Sequence, residues 1–294
     1  MEYGDILVLS FFDVVRLSLA RYRMNPVIIV PPLVGMAVPL VTSLLLKPPV
    51  PSQPYTSELF RFVFLAFGVL LLNLIVSFLV VVGQASMAGK VVVEGKTRLA
   101  DWSKGVKKYA LRVLGIGLIY LGILVAFFML LVMIFVFAML PQLMSQVGKV
   151  TPPSTPLISP SVTKAMGAVT ALLMTIASSV FYMWLAPAII DNKGVFASLD
   201  AGTKAIRKCG KAFLGFLALF FAVSVTVQLI GAPVMLGAQP VWSVVTPMHM
   251  VSGVIAIIFS PLWFLIAFTI YQSQSVAHVK VEEIDSDDCR KSLA

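Results

Sequence analysis

Residues 113–140 read VLGIGLIYLGILVAFFMLLVMIFVFAML, with Tyr120 the one ionisable side chain in the run. In lipid every backbone polar group must be satisfied within the protein, so a run this apolar is stable in a bilayer as a helix. Crossing a hydrocarbon core of about 30 Å takes roughly 20 apolar residues at helical rise. The run is longer than that, so it is expected to tilt or to project beyond the bilayer.

Five further stretches pass the same test, at 24–46, 62–83, 165–190, 212–236 and 250–271. Pro31, Pro32 and Pro39 interrupt the first, which membrane helices tolerate where neighbouring groups satisfy the freed carbonyls. Composition agrees. The chain is 59% hydrophobic and 12% charged, whereas soluble domains carry about 25% charged residues. The expected fold class is all-α: a polytopic integral membrane protein with six transmembrane helices, forming a single transmembrane domain over 1–280.

Lys47, Arg61, Lys149 and Lys164 fall in one set of loops, and the other eighteen of the 22 Lys and Arg residues fall on the opposite side. Cytoplasmic loops carry the excess of positive charge, so both termini are expected in the cytoplasm and the chain in the cell membrane. These loops account for the net charge of +9. A nucleic-acid partner is not expected, because no basic stripe is interleaved with exposed aromatics. Glu2, Asp5 and Asp13 replace the basic region of a signal peptide. Cys209 and Cys289 fall on the cytoplasmic side, where thiols stay reduced. The outer loops 48–57, 151–161 and 237–247 are rich in Pro, Ser and Thr and read as compact connectors.

Two segments align without gaps: Lys104-Gly-Val-Lys-Lys-Tyr-Ala-Leu-Arg-Val-Leu-Gly115 and Lys204-Ala-Ile-Arg-Lys-Cys-Gly-Lys-Ala-Phe-Leu-Gly215. A fainter copy is Leu17-Ser-Leu-Ala-Arg-Tyr-Arg23. Each copy reads as a short amphipathic helix. Phe12, Val15, Leu19 and Tyr22 share one face, as do Leu99, Trp102, Val106, Tyr109 and Val113, and as do Phe196, Leu199, Ile206 and Phe213. Helices of this kind lie in the headgroup plane. The reading is three pseudo-repeats, about 5–88, 96–190 and 195–278, each an interfacial helix followed by two spans. Residues 281–294 form an acidic tail that lacks the turn glycine and ligand spacing of a calcium loop and is expected to be disordered.

The basic faces, with Lys104, Lys107, Lys108, Lys204, Arg207 and Lys208, are expected to contact anionic headgroups of the cytoplasmic leaflet, each adding about 1 kcal/mol of attraction. Within the spans, small and polar residues form stripes. Asn73, Ser77 and Gln84 lie on the second, Gly167, Ala171, Thr175 and Ser178 on the fourth, Ser224, Gln228 and Gly231 on the fifth, and Ser252, Ala256 and Ser260 on the sixth. Such stripes let membrane helices approach closely and bond across the interface. Alternatively, Asn73, Ser77, Thr175, Ser178, Gln228, Ser252 and Ser260 are contacts for a neutral or amphipathic ligand.

No Asp, Glu, Lys, Arg or His lies deep in any span, which argues against proton-coupled transport. His249 and His278 flank the sixth span on opposite sides and cannot share an active site without a second molecule. Neither a phosphate-binding G-x-x-x-x-G-K-[ST] loop nor a zinc-binding H-E-x-x-H helix occurs. No catalytic group, cofactor or metal is expected. The chain reads as a non-enzymatic membrane scaffold or an accessory subunit for transport or envelope lipid handling, with a possible partner membrane subunit. The alternative is a small permease or lipid-translocating protein with a pathway between the second, fourth and sixth spans.

The stretch Arg23-Met-Asn-Pro26-Val-Ile-Ile-Val-Pro-Pro-Leu-Val-Gly35, together with residues 197–215, resembles a group of uncharacterised prokaryotic, mainly archaeal, six-span membrane proteins. These are similar to the membrane domain attached to some glycerophosphoryl diester phosphodiesterases. The resemblance implies no catalytic residues, since the phosphodiesterase activity of that family belongs to a separate soluble barrel. It implies a membrane domain that works beside other components.

Overall fold

The computed structural model describes residues 10–45, 57–146, 160–231, 253–255 and 257–274, and among these every regular element is helical. In chain order they are α1 (Phe11–Met24), a 3₁₀ turn (Pro26–Ile29), α2 (Val30–Leu45), α3 (Ser57–Glu94) and α4 (Leu99–Gln146). There follow α5 (Pro160–Ile190), α6 (Val195–Lys208), α7 (Gly210–Gly231) and α8 (Gly253–Gln274). Five of these, α3, α4, α5, α7 and α8, are long and apolar enough to cross a membrane. The bent pair Phe11–Met24 and Pro26–Thr42 adds a sixth if it is counted as one span.

Local sequence explains how each short helix meets the long one after it. Ser10 caps α1, its hydroxyl oxygen accepting the Asp13 N–H at 3.3 Å. Pro26 then lacks an N–H and steers the preceding residue away from helical geometry. Asn25 accordingly sits at φ −130°, ψ 61°, and the chain bends by 94°. Pro31 and Pro32 fall in the first turn of α2, where the missing N–H groups matter little. At Cys209–Gly210 the helix pauses for one residue. Between Leu99 and Leu140 there is no proline to break it, and the segment expected as a separate amphipathic helix continues into the span within one helix of 48 residues. At 1.5 Å per residue it is about 72 Å long, more than twice the hydrocarbon core.

The packed core sits at one end of the bundle. A Cβ on Gly89 of α3 would stand 2.5 Å from Ile189 Cγ2 and 3.6 Å from Phe268 Cε2, so the C-terminal ends of α3, α5 and α8 lie side by side. In α8, Leu265, Ile266, Ala267 and Phe268 are all 0% exposed. Four successive residues cover the whole circumference of a helix, so α8 is enclosed on every side here. Its neighbours are α1 (Ser18 and Arg21 against Thr269), α5 (Tyr182 against Phe264) and α7 (Phe216 and Phe220 against Trp263). Towards the other end the helices separate. Residues 121–137 of α4 are exposed or only half-buried at every position, and large side chains from Phe60 to Ile75 of α3 are exposed.

Small residues set the closest approaches. A Cβ at Gly105 would lie 2.1 Å from Ser86 Oγ, and one at Gly202 would lie 2.6 Å from the Met183 carbonyl oxygen. That carbonyl has no intrahelical donor, because Pro187 stands four residues on without an N–H. Gly115 meets Val195, and Gly215 meets the Phe11 ring. The aromatic stripes read from the sequence join these contacts only in part: Tyr109, Val113 and Phe213 are buried, and Trp102, Val106, Leu199 and Ile206 are half-buried against the core. Phe12 and Phe196 are about four-fifths exposed, while Val14 and Ser18 of α1 and Ser198, Gly202 and Ala205 of α6 are buried.

Candidate functional site

The polar side chains of the long helices divide among separate helix pairs. Asn73 Nδ2 on α3 donates to Thr42 Oγ1 on α2 at 3.4 Å. The hydroxyls of Ser178 on α5 and Tyr120 on α4 are 3.4 Å apart. Ser260 Oγ on α8 donates to Gln84 Oε1 on α3 at 3.0 Å. Thr175 is buried, and its hydroxyl donates to the Ala171 carbonyl of its own helix at 2.8 Å. Ser77 is exposed. The side chain of Gln228, and all of Ser252, His249, His278 and the acidic tail, lie outside the described residues. The described candidates are thus distributed over α2–α3, α4–α5 and α3–α8 rather than converging on one point. Gln84 is 1% exposed, and its Nε2 has no hydrogen-bond partner among the described residues.

Two concave regions accompany these pairs. An apolar groove of about 240 Å³ runs between α4 and α5, lined by Tyr120, Leu124, Phe127 and Leu131 on one side and Leu173, Ala177 and Trp184 on the other. A polar recess of about 300 Å³ lies where the end of α3, the start of α4 and the end of α5 meet. Lys90, Lys104, Lys108, Glu94 and Asp101 line it, over a floor that includes Gly89 and Gly105. Lys90 Nζ stands 2.9 Å from Asp101 Oδ1 and 3.6 Å from Glu94 Oε2. Asp101 also accepts the Arg98 N–H at 2.7 Å and the Thr97 hydroxyl at 3.3 Å, so it caps α4 while it holds Lys90. Lys108 Nζ lies 4.9 Å from the centre of the Tyr109 ring.

The other basic candidates are placed differently. Lys107 is exposed and does not line the recess. On α6, Lys204 pairs with Asp200 at 2.7 Å, one helical turn away, and Arg207 and Lys208 are exposed.

A second polar cluster joins α8 to the α5–α6 turn. The Tyr271 hydroxyl donates to Asp191, and Lys193 Nζ reaches Tyr271 Oη at 3.2 Å and Asp191 Oδ2 at 3.0 Å. Burial disfavours the Lys193 ammonium, but its hydrogen bonds to Asp191 and Tyr271 outweigh this and its pKa is raised. Within the same turn Asn192 adopts φ 56°, a region Asn tolerates better than most residues, and Arg112 Nη1 donates to its carbonyl at 2.9 Å. Sequence reasoning missed these turn residues. The available signal was the Asp-Asn-Lys-Gly run at 191–194, whose residue types favour turns.

Among the described residues, no group of three or more His, Cys, Asp or Glu side chains is placed to hold a metal ion. No protein-family model, curated protein or solved structure matches the chain. What the geometry defines is a class. The chain is all-helical among its described residues, with five or six segments fit to cross a membrane, the architecture of a multi-pass membrane protein.

Proposed function

We propose that this chain is a non-enzymatic, six-span scaffold of the cell membrane, serving as an accessory subunit for transport or envelope lipid handling. The observation that carries the reading is the pairing of polar side chains. Asn73, Ser178 and Ser260 bond across three different helix pairs, as expected of groups that hold helices together in lipid. A pathway between the second, fourth and sixth spans would need them turned to a common space.

The count of six is supported by length. The 3₁₀ turn of 4 residues and the 16 residues of α2 rise about 32 Å at roughly 2.0 and 1.5 Å per residue, enough for one crossing. The 94° bend before this crossing supports an α1 lying along the headgroup plane.

Three units of one interfacial segment and two spans are supported by recurring contacts. Gly105 rests on Ser86 of α3, and Gly202 rests on Met183 of α5. Ser18 of α1 meets Thr269 of α8, the hydroxyls 3.4 Å apart, which closes the series. The basic residues of α1, of the α3–α4 junction and of α6 all lie at the end where these contacts gather, which supports cytoplasmic termini under the positive-inside rule. The resemblance to phosphodiesterase-linked membrane domains supports a role beside other components. So does the stretch 121–137 of α4, an apolar surface that is exposed or half-buried at every position among the described residues.

A scrambling assay in proteoliposomes with fluorescent phosphatidylglycerol tests the reading against a lipid translocator. The scaffold predicts the rate of empty vesicles. Protein-dependent scrambling that Gln84→Leu abolishes, with folding intact, overturns it.

A further inference from the structure

We infer that the recess between the end of α3 and the start of α4 binds a phosphate group, with Lys104 and Lys108 as its ligands. The inference deepens the scaffold reading, in that it rests on placing this junction at headgroup depth.

The recess is built rather than incidental. Its floor depends on Gly89 and Gly105, whose missing side chains let α3 come within contact of α5 and of α4; a Cβ at either would strike Ile189 or Ser86 at 2.5 Å or less. Its two carboxylates are already engaged by Lys90, and Asp101 in addition by the cap of α4. Lys90 is therefore neutralised from within the protein. Lys104 and Lys108 are the remaining cations of the lining. They are one turn apart, on one face of α4, and both are exposed. Like charges at this spacing repel and destabilise a helix, and an anion between them reverses that sign. Lysine ammonium groups bind phosphate as point charges with several donors.

Depth fits the same ligand. Lys108 and Lys104 lie five and nine residues before Val113, so at helical rise they stand about 7 and 13 Å below the start of the apolar run. The headgroup zone extends roughly 5–7 Å beyond the hydrocarbon core on each side, so Lys108 stands at its outer edge and Lys104 reaches towards it on its flexible four-carbon stem. The same phosphate chemistry could be offered by a lipid headgroup or by a soluble phosphate, and the test separates them.

The full chain, purified in neutral detergent, is titrated with phosphatidylglycerol, with diacylglycerol as its phosphate-free counterpart, and with inorganic phosphate, and bound species are counted by native mass spectrometry. Lys104→Gln with Lys108→Gln is compared with Lys107→Gln with Lys211→Gln, which removes the same charge from exposed positions outside the recess. Phosphatidylglycerol affinity is expected to fall about tenfold in the first pair, the scale of a lost charged hydrogen bond, and less than twofold in the second. Diacylglycerol is expected not to bind. If inorganic phosphate binds by itself and displaces the lipid, the source is soluble phosphate; if it does neither, the source is the headgroup. Equal losses in both pairs, or no loss in the first, overturn the site. Because binding in detergent requires neither membrane orientation nor a partner subunit, either of those results would leave the scaffold reading standing.

Discussion

Asn25 ties the bend after α1 to the turn after α3: its Nδ2 donates to the Gly95 carbonyl at 3.0 Å. Its Oδ1 accepts the Thr97 N–H, also at 3.0 Å, and Nδ2 donates a second time to the Arg21 carbonyl at 2.9 Å. Gly95 sits at φ +78°, a conformation that glycine adopts at little cost. One amide that is 4% exposed thus serves two backbone reversals.

Asn25→Ala is expected to leave the Thr97 N–H and the Gly95 carbonyl without their partner. A fully buried group left unpaired costs about 1–3 kcal/mol; these two are half-buried, so the loss falls toward the lower end for each. Asn25→Asp keeps the acceptor for Thr97 but loses both donated bonds. Thermal unfolding in detergent, followed by circular dichroism, should rank wild type above Asp and Asp above Ala. Equal midpoints for all three would show that the amide does not hold the two turns.

Glycines in these helices divide into two kinds, and alanine should separate them. At Gly202 a Cβ would stand 2.6 Å from the Met183 carbonyl oxygen, whereas at Gly117 and Gly122 nothing lies within 4 Å. Overpacking against backbone costs about 1–3 kcal/mol, so Gly202→Ala should lower the unfolding midpoint. Gly117→Ala and Gly122→Ala should leave it unchanged or raise it, since alanine favours the helix by about 1 kcal/mol. A fall at Gly122 as large as at Gly202 would contradict the described packing.

Cys209, between α6 and α7, is 5% exposed. Burial pushes its thiol pKa up, against smaller opposing effects of Ser273 and Lys208. In a Cys289→Ser background, maleimide labelling of the native chain should be slow and should keep rising with pH beyond about 8.5, where a free thiol levels off. Complete labelling in denaturing detergent confirms the thiol is intact. Because the native pKa lies above the unfolded one, this group's contribution to stability is complete below about pH 8.5 and is lost as pH rises through the native value. Fast labelling of the native chain at neutral pH would overturn the burial.

The long helices were legible because lipid leaves the backbone one local solution, so 113–140 could be read without any neighbour. The junctions were less so. Asn25–Pro26 announces its bend through proline, but nothing between Leu99 and Val113 states whether an amphipathic segment ends before the span or runs into it. The structure runs it through as one helix. The aromatic stripe of each amphipathic segment stood out in the sequence, while Ser18, Gly105 and Gly202, where the chain makes its closest approaches to protein, did not. Small residues carry little weight in a hydrophobic pattern, yet in lipid, where greasy surface has no reason to hide, they decide which face meets a neighbour. The recess beside Lys90 was illegible for another reason. Lys104, Lys107 and Lys108 look alike in sequence, and the helical register that separates Lys107 from the others matters only once α3 is in place.

Gln84 and Ser260 offer the sharpest test of whether polar groups in the bundle are structural. Ser260 Oγ donates to Gln84 Oε1 at 3.0 Å, and the Gln84 Nε2 is buried without a partner among the described residues. Ser260→Ala removes the donor and strands the amide oxygen as well, so it should destabilise by about 1–3 kcal/mol. Gln84→Leu is close in volume and removes every polar atom that burial penalises, so it should be neutral or stabilising, as apolar replacement of buried polar groups often is. Once Gln84 is gone, Ser260→Ala has little left to break, and the double variant should match Gln84→Leu alone. The resulting coupling energy then equals the Ser260→Ala cost, about 1–3 kcal/mol, within the range for residues in direct contact. Additive losses would mean the two side chains do not interact. Destabilisation by Gln84→Leu would mean that the amide has a partner it needs, which would move this position from helix packing to ligand binding.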